Sequence, residues 1–487
     1  MIRNIFIFLT VILVSCDSSP KKVSQEDLPN LLFLFADDYT YDAIHALGNH
    51  VIETPNLDRL VGNGTHFTQA FNMGGWNGAV CVASRAMIIT GKTIWDAKKI
   101  SDQWRKKENL EAVQHSWGKL LEQKGYQTYI SGKWHVSIDP NEVFQTVRNV
   151  RPGMPRDFFK KENQKGYDRP KEGQEDLWRA SDSLNGGFWE GGKHWSEVIK
   201  DDALDFLKQA DAKEAPFFMY LAFNAPHDPR QSPQSFLDRY DLDSIPMPEN
   251  WLSEYPYKDA IGNPKTLRDE ALAPFPRTPY AIKTHIKEYY AIISHLDEQI
   301  GKILEALEAS GKADKTYIFF TGDHGLSLGK HGLLGKQSMF DHSIRVPLIM
   351  SGPDIPKGKR IDHEIYLQDV MATTLELGDV STTDSVDFKS FLNLAKGKDK
   401  KPLYPEGIYG AYMNYQRMIR KDNFKLLVYP KINKVLLFDL KNDPNEMNDL
   451  SNNPRYFERT KSMFRDLINL QIKMKDTLNL SHISLKI

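Results

Sequence analysis

Asn30-Leu31-Leu32-Phe33-Leu34-Phe35-Ala36-Asp37-Asp38 is the stretch on which the reading of the fold turns. A continuous apolar run of this length, without polar alternation, describes a strand buried on both faces, as in a parallel sheet. It ends in two carboxylates. Residues just past the carboxyl end of such a strand lie where open α/β sheets place their ligands. The pattern recurs along the chain. Tyr126–Ile130 leads into Ser131-Gly132-Lys133-Trp134-His135, Phe217–Phe223 into Asn224-Ala225-Pro226-His227, and Tyr317–Thr321 into Gly322-Asp323-His324-Gly325. Val346–Met350 is a fifth candidate, with Pro347 near its start. Helical periodicity falls between these runs, after Cys81 and over approximately 113–124, 196–210 and 283–309. Strands alternating with helices predict an α/β fold with a mostly parallel central sheet flanked by helices.

Two segments break the pattern. Residues 138–195 and 229–280 are rich in Gly, Pro, Trp or charge and lack periodicity, as expected of long functional loops. From about 380 onward Met418–Arg420, Phe424–Tyr429 and Val435–Asp439 read as antiparallel strands joined by turns such as Lys421-Asp422-Asn423. A last amphipathic helix is expected over 454–476. The division predicted is therefore a catalytic domain over 28–380 and a smaller α+β subdomain over 381–487. Of the 487 residues 40% are hydrophobic and the net charge is −1. That balance supplies a core and argues against nucleic acid as a partner, so an anion site must be built from a few local cations.

At the N-terminus, Arg3 precedes an apolar run from Ile5 to Val14. The run is too short for a bilayer, which takes about 20 helical residues, and has the layout of an export signal. Leu13-Val14-Ser15-Cys16 resembles the lipobox of bacterial lipoproteins. The resemblance implies a signal peptide over 1–15, lipid on Cys16, and a polar tether over 16–27. The protein is then exported and held at the outer membrane, cell surface or periplasmic face through that lipid; a plain cleaved signal would leave it in the periplasm.

The chain has two cysteines, so lipid on Cys16 leaves Cys81 without a disulfide partner. Cys81-Val82-Ala83-Ser84-Arg85, followed by Thr90-Gly91, resembles the signature of the formylglycine-dependent (type I) sulfatases. Asp37-Asp38, Thr54-Pro55-Asn56-Leu57-Asp58-Arg59-Leu60, Gly132-Lys133-Trp134-His135, Pro226-His227 and Gly322-Asp323-His324-Gly325 occur in that family's order, and 423–446 is similar to its closing segment. The resemblance implies an alkaline-phosphatase-like sandwich and a sulfuric ester hydrolase. It also implies that a maturation enzyme oxidises Cys81 to formylglycine (3-oxoalanine). One hydroxyl of the hydrated aldehyde then attacks sulfur, and the other expels sulfate as the aldehyde re-forms.

Carboxylates of Asp37, Asp38 and Asp323, with an oxygen on modified residue 81, suit one Ca²⁺. His324 stands where the family often has Asn, and nitrogen is an unusual Ca²⁺ ligand. Arg85, one helical turn past Cys81, is expected to brace the site. Lys133 and Lys336 are expected on sulfate oxygens, His135 at the diol, and His227 either on the sulfate or at the leaving oxygen. His331 and His342 flank Lys336 and are candidates for the pocket wall; His115, His285 and His295 read as structural. The Gly186–Trp195 loop reads equally as a sugar platform or as a core anchor. The Gly75–Ala79 run looks like bacterial sulfatases of sulfated polysaccharides, which points to an algal glycan such as ulvan or carrageenan, then to glycosaminoglycans. The competing readings are a phosphatase, phosphodiesterase or phosphonate hydrolase of the same superfamily, and an inactive, lipid-anchored glycan-binding protein.

Overall fold

The computed structural model describes residues 27–155, 166–183, 186–381 and 385–485. The expected signal segment, and all of the expected tether before Asp27, lie outside the described residues. The apolar runs form the middle of a nine-stranded sheet. Its path runs Lys359–Ile361, Thr65–Phe71, Arg345–Ser351, Thr316–Gly322, Asn30–Ala36, Phe217–Ala222, Gln127–Lys133 and Thr146–Arg151, with Ile365–Tyr366 also pairing Thr65–Phe71. Asn30–Ala36 is parallel to both neighbours. Its residues divide between two cores. Leu32 and Leu34 pack toward the helices Trp195–Asp211 and Pro279–Ala309, whereas Leu31, Phe33 and Phe35 pack against Ile88 and Trp117. Helices on both faces remove the need for polar alternation, and this is why the run is continuously apolar.

The expected α/β class and mostly parallel sheet hold, with differences in detail. Val346–Met350 does form a strand, but it runs antiparallel to both neighbours. Its ladder with Thr65–Phe71 shifts register between Val346 and Leu348, at Pro347, which has no N–H to contribute. The expected helix over 113–124 is a 3₁₀ turn, Leu110–His115, and a short α-helix, Trp117–Gln123, meeting at Ser116. The long helix begins earlier than periodicity suggested, at Pro279, where Thr278 Oγ1 accepts from Ala281 N at 3.2 Å. The C-terminal helix is Phe457–Lys473. Among the described residues no helix is long and apolar enough to cross a membrane.

The second sheet is antiparallel through Lys434–Asp439, Phe424–Tyr429, Gln416–Lys421 and Ile408–Tyr412. Its last strand, Gly74–Gly75, comes from just before Cys81 and pairs parallel with Ile408–Tyr412. The second sheet thereby holds the approach to Cys81. Buried ion pairs fasten it further: Arg420 Nη1 lies 2.8 Å from Asp341 Oδ2, and Lys425 Nζ 2.7 Å from Glu446 Oε1. Gln416 Nε2 donates to the Gln337 carbonyl at 2.8 Å, beside Lys336.

Candidate active site

Strand order assembles the site. Thr316–Gly322, Asn30–Ala36, Phe217–Ala222 and Gln127–Lys133 are consecutive parallel strands, so their carboxyl ends lie side by side. Asp323 and His324, Asp37 and Asp38, His227, and Lys133 and His135 therefore come to one rim from positions far apart in sequence. The helix Val80–Thr90 delivers Cys81 and, one turn later, Arg85. Two of these residues hold left-handed backbone, Asp38 at φ 63° and His135 at φ 57°. Such conformations are sparsely populated by non-glycine residues and gather at functional sites. Gly153 is required where it stands, because a Cβ there would lie 2.4 Å from His135 Cε1.

The structure brings together Cys81, Arg85, Lys133, His135, His227 and Lys336 with Asp37, Asp38, Asp323 and His324. Cys81 Sγ is 3.4 Å from His135 Nδ1. Arg85 is fully buried; its Nε donates to Asp323 Oδ2 at 3.0 Å and its Nη1 to the Lys133 carbonyl at 2.8 Å. Lys133 Nζ donates to Asp37, and Lys336 Nζ to Asp38 Oδ1 at 2.8 Å. His324 Nε2 lies 3.2 Å from Asp38 Oδ1 and 3.5 Å from Asp323 Oδ1. His227 Nδ1–H donates to the Asp228 carbonyl at 2.6 Å, which directs Nε2 toward Asp38 Oδ2, 3.9 Å away.

Charge is concentrated where water cannot screen it. Burial, with Asp323 next to it, raises the Asp37 carboxyl well above its ordinary range. Burial likewise raises Asp38, against the pull of Lys336 and His324. For Asp323 burial is outweighed by His324, Arg85 and Lys133, and its carboxyl is held far below the usual range. Burial opposes protonation of His324, yet Asp323 and Asp38 raise it to about 9. Burial would also push the Cys81 thiol up, but Lys133, His135 and Lys336 reverse this and hold it well below the ordinary thiol range. The ammonium groups of Lys133 and Lys336 stabilise negative charge at side chain 81, a property that a sulfur or an oxygen nucleophile would share.

The donor set fits a hard divalent cation. Asp37 Oδ1, Asp38 Oδ2 and His324 Nε2 are buried and take no hydrogen bond. Among the described residues the candidate ligand groups are Asp37, Cys81, Asp323 and His324, and Asp37, Asp38 and His227. The two groups share Asp37, so they form one buried cluster. Asp37, Asp38 and Asp323 give it three carboxylates, the oxygen donors that a hard cation such as Ca²⁺ takes.

Cys81, His135, His227 and Lys336 open onto a cavity of about 500 Å³. Its outer wall comes from the two irregular segments, Pro152–Met154 from one and Leu267–Asp269 from the other. Arg268 and Asp269 were not singled out from sequence. Arg268 pairs with both Asp228 and Asp269, and Gln337 Nε2 bonds Asp269 and the Gly78 carbonyl. Apart from each other, their partners Asp228 and Gln337 are distant in sequence, so nothing local marks these residues. Neither flanking histidine reaches the cavity wall, contrary to the expectation for them. His331 stacks on Phe340 with ring centroids 3.9 Å apart, and His342 Nδ1 meets Ser327 Oγ at 3.0 Å. His285 and His295 are buried in the long helix, while His115 is exposed. The Gly186–Trp195 loop is a core anchor: Phe188 and Trp195 are buried, and His194 Nε2 bonds the Gln231 carbonyl at 3.0 Å.

Residues 29–380 match the family described as Sulfatase, and residues 329–473 match the C-terminal family of N-sulphoglucosamine sulphohydrolase. The chain belongs to the sulfatase family and is a sulfuric ester hydrolase. It is 28% identical over 466 residues to an arylsulfatase of Clostridium perfringens, covering 90% of this chain and 94% of that one. It is 25% identical over 537 residues to an N-acetylglucosamine-6-O-sulfatase of Bacteroides thetaiotaomicron, covering 95% and 89% respectively. A solved structure described in complex with its substrate D-glucosamine-2-N,6-O-disulfate superposes with a TM-score of 0.70 at 24% identity, over 92% of this chain and 99% of the other. The fold is thus the alkaline-phosphatase-like one expected.

Proposed function

We propose that the protein hydrolyses sulfate esters on a sulfated polysaccharide or its oligosaccharides, using formylglycine made from Cys81 and one Ca²⁺. The observation that supports this best is the convergence of Lys133, His135, Lys336, Asp37 and Asp323 on Cys81. Asp37, Asp38, Asp323, His324 and an oxygen on side chain 81 would hold the ion, which supplies Lewis-acid polarisation of a sulfate oxygen. Formylglycine supplies a nucleophile that releases itself from the sulfated enzyme.

The other roles fall to this chain's own groups. Arg85 locks Asp323 against the Lys133 backbone and so fixes the floor of the site. Lys133 and Lys336 balance Asp37 and Asp38 here; with a divalent ion carrying that charge, their ammonium groups serve the sulfate. His135, next to side chain 81, takes the hydroxyl proton. Burial, with Lys336, Lys133 and Arg268, keeps His227 well below the ordinary imidazole range. His227 would therefore need the negative charge of a bound sulfate to take up a proton at Nε2, which it would then pass to the leaving oxygen.

The substrate class rests on the Gly75–Ala79 run and on the glucosamine-sulfate relative. Ulvan and carrageenan are the algal candidates, and 6-sulfated glucosamine glycans are the other. The decisive assay compares aryl sulfate with aryl phosphate on matured enzyme, then runs defined sulfated oligosaccharides. Sulfate turnover should exceed phosphate turnover by about 100-fold or more, roughly 2.7 kcal/mol of differential transition-state binding. Phosphate or phosphonate preference refutes the proposal in favour of a phosphohydrolase. Binding of sulfated oligosaccharides without turnover refutes it in favour of a glycan-binding scaffold.

The division into 28–380 and 381–487 and the lipid anchor belong to the same proposal. Fatty-acid labelling of the expressed protein should be lost in Cys16→Ala, with the enzyme released from membranes. Retained labelling in that variant would disprove the anchor.

A further inference from the structure

A second cavity, of about 930 Å³, is lined in part by Trp76, on the loop that leads to Cys81. Trp76 lines this groove, whereas Gly78 and Ala79 line the catalytic cavity. Three residues of extended chain reach at most about 10 Å, so the two openings are neighbours. The loop between them is firm, since Met413 N donates to the Gly75 carbonyl at 2.8 Å.

The groove is basic and aromatic. Five basic and three acidic side chains line it, in a protein whose net charge is −1. Its excess charge is therefore a local feature. Arg417 is neutralised by Asp476, and Lys98 by Asp102. Lys475 pairs with Asp96, just outside the lining. Lys99 and Lys106 are exposed, with no side-chain partner among the described residues. Glu108 is the one lining carboxylate outside the pairs named. Lys99 lies on the helix Ile94–Arg105 and Lys106 caps it, seven positions on. Seven residues make two turns, so both ammonium groups lie on one side, about 10 Å apart along the axis. The half-buried Trp95, with the Arg417 guanidinium 5.3 Å from its ring centroid, and the edge of the buried Trp76 contribute aromatic wall beside the basic groups. An aromatic wall beside two unpaired ammonium groups suits a sugar chain that carries sulfates at intervals.

We propose that this groove is a second binding site, for a sulfated stretch of the polysaccharide remote from the ester being cleaved. The inference rests on the reading of the protein as a polysaccharide sulfatase. It gives the enzyme a hold on a polymer that the catalytic cavity does not provide, and it raises the local concentration of esters at Cys81.

The test uses the full-length protein with Lys99 and Lys106 reversed together (K99E/K106E). A control reverses two exposed lysines away from the groove (K398E/K441E). Fluorescent dextran sulfate is the binding probe and nitrophenyl sulfate the activity probe. The groove variant should bind dextran sulfate about 10-fold more weakly than wild type at low salt, with a shallower salt dependence. Its turnover of nitrophenyl sulfate should stay within about 2-fold of wild type, because neither lysine touches the catalytic cavity. Equal weakening in the control, unchanged affinity in the groove variant, or no binding by wild type each overturns the second site. Absence of nitrophenyl sulfate turnover by matured wild type instead overturns the underlying sulfatase reading, whatever the binding shows.

Discussion

Cys81→Ala should abolish sulfate ester hydrolysis, lowering kcat by about 10⁴-fold or more, the scale seen when a covalent nucleophile is removed. Cys81→Ser is the more informative variant. A serine oxygen occupies the same helical position beside His135 and the lysines, so attack on sulfur is retained. A serine has one oxygen, however, and cannot expel sulfate by re-forming an aldehyde. The expected result is a sulfated protein that accumulates after a single turnover, visible as a mass increase on the peptide containing residue 81. The unaltered chain should show formylglycine in that peptide when made with the maturation enzyme, and intact thiol with near-zero activity when made without it. Full activity with intact thiol would refute the proposed nucleophile. Folding is a separate readout. Cys81 is 2% exposed on a helix whose neighbours pack into the core, so removing one sulfur should cost only about 1 kcal/mol and leave unfolding cooperative. Loss of activity without loss of fold separates chemistry from stability.

Asp37-Asp38, Lys133-Trp134-His135 and Asp323-His324 were legible in the sequence for one physical reason. Each follows an apolar strand that is buried on both faces, and such strands stand out from their surroundings. Strand order was not legible, yet it is strand order that makes those strand ends adjacent. Thr65–Phe71 escaped notice because Thr65, His66, Thr68 and Gln69 interrupt its apolar residues, as suits a strand further from the sheet centre. Thr146–Arg151 is an edge strand and largely polar for the same reason. The direction of Val346–Met350 depends on which neighbour it meets, and a short apolar run does not encode that. Arg268 and Asp269 have meaning only through Asp228 and Gln337, which reach them after folding. His331 and His342 show the converse. Nearness to Lys336 in sequence suggested the cavity, but the turn between them points both rings into the packing under the second sheet.

Asp37→Asn should remove the metal dependence that the unaltered enzyme is expected to show. With Ca²⁺ in place, chelation should lower kcat by about 10³-fold, or roughly 4 kcal/mol of lost charge stabilisation at the sulfate. Ca²⁺ at about 100 times its Kd should raise unfolding stability by about 2.7 kcal/mol, a readout that needs no turnover. Asp37 is the carboxylate to change, because the alternatives confound the result. Asp323 also anchors Arg85, and its loss would leave a buried guanidinium short of its partner, a penalty of about 3–5 kcal/mol that has nothing to do with the ion. Asp37 gives up its bond from Lys133, whose ammonium has sulfate to face, and a long 3.9 Å ion pair with Arg85 Nη2, while Arg85 keeps its direct bond to Asp323. Burial already drives Asp37 toward its neutral form without an ion, so an amide resembles the ion-free state. Asp37→Asn should therefore fold with the stability of the chelated enzyme, gain nothing from added Ca²⁺, and retain the low activity that chelation leaves. Stabilisation by Ca²⁺ that persists in this variant would place the ion elsewhere, and chelator-insensitive activity in the unaltered enzyme would remove the metal from the reaction.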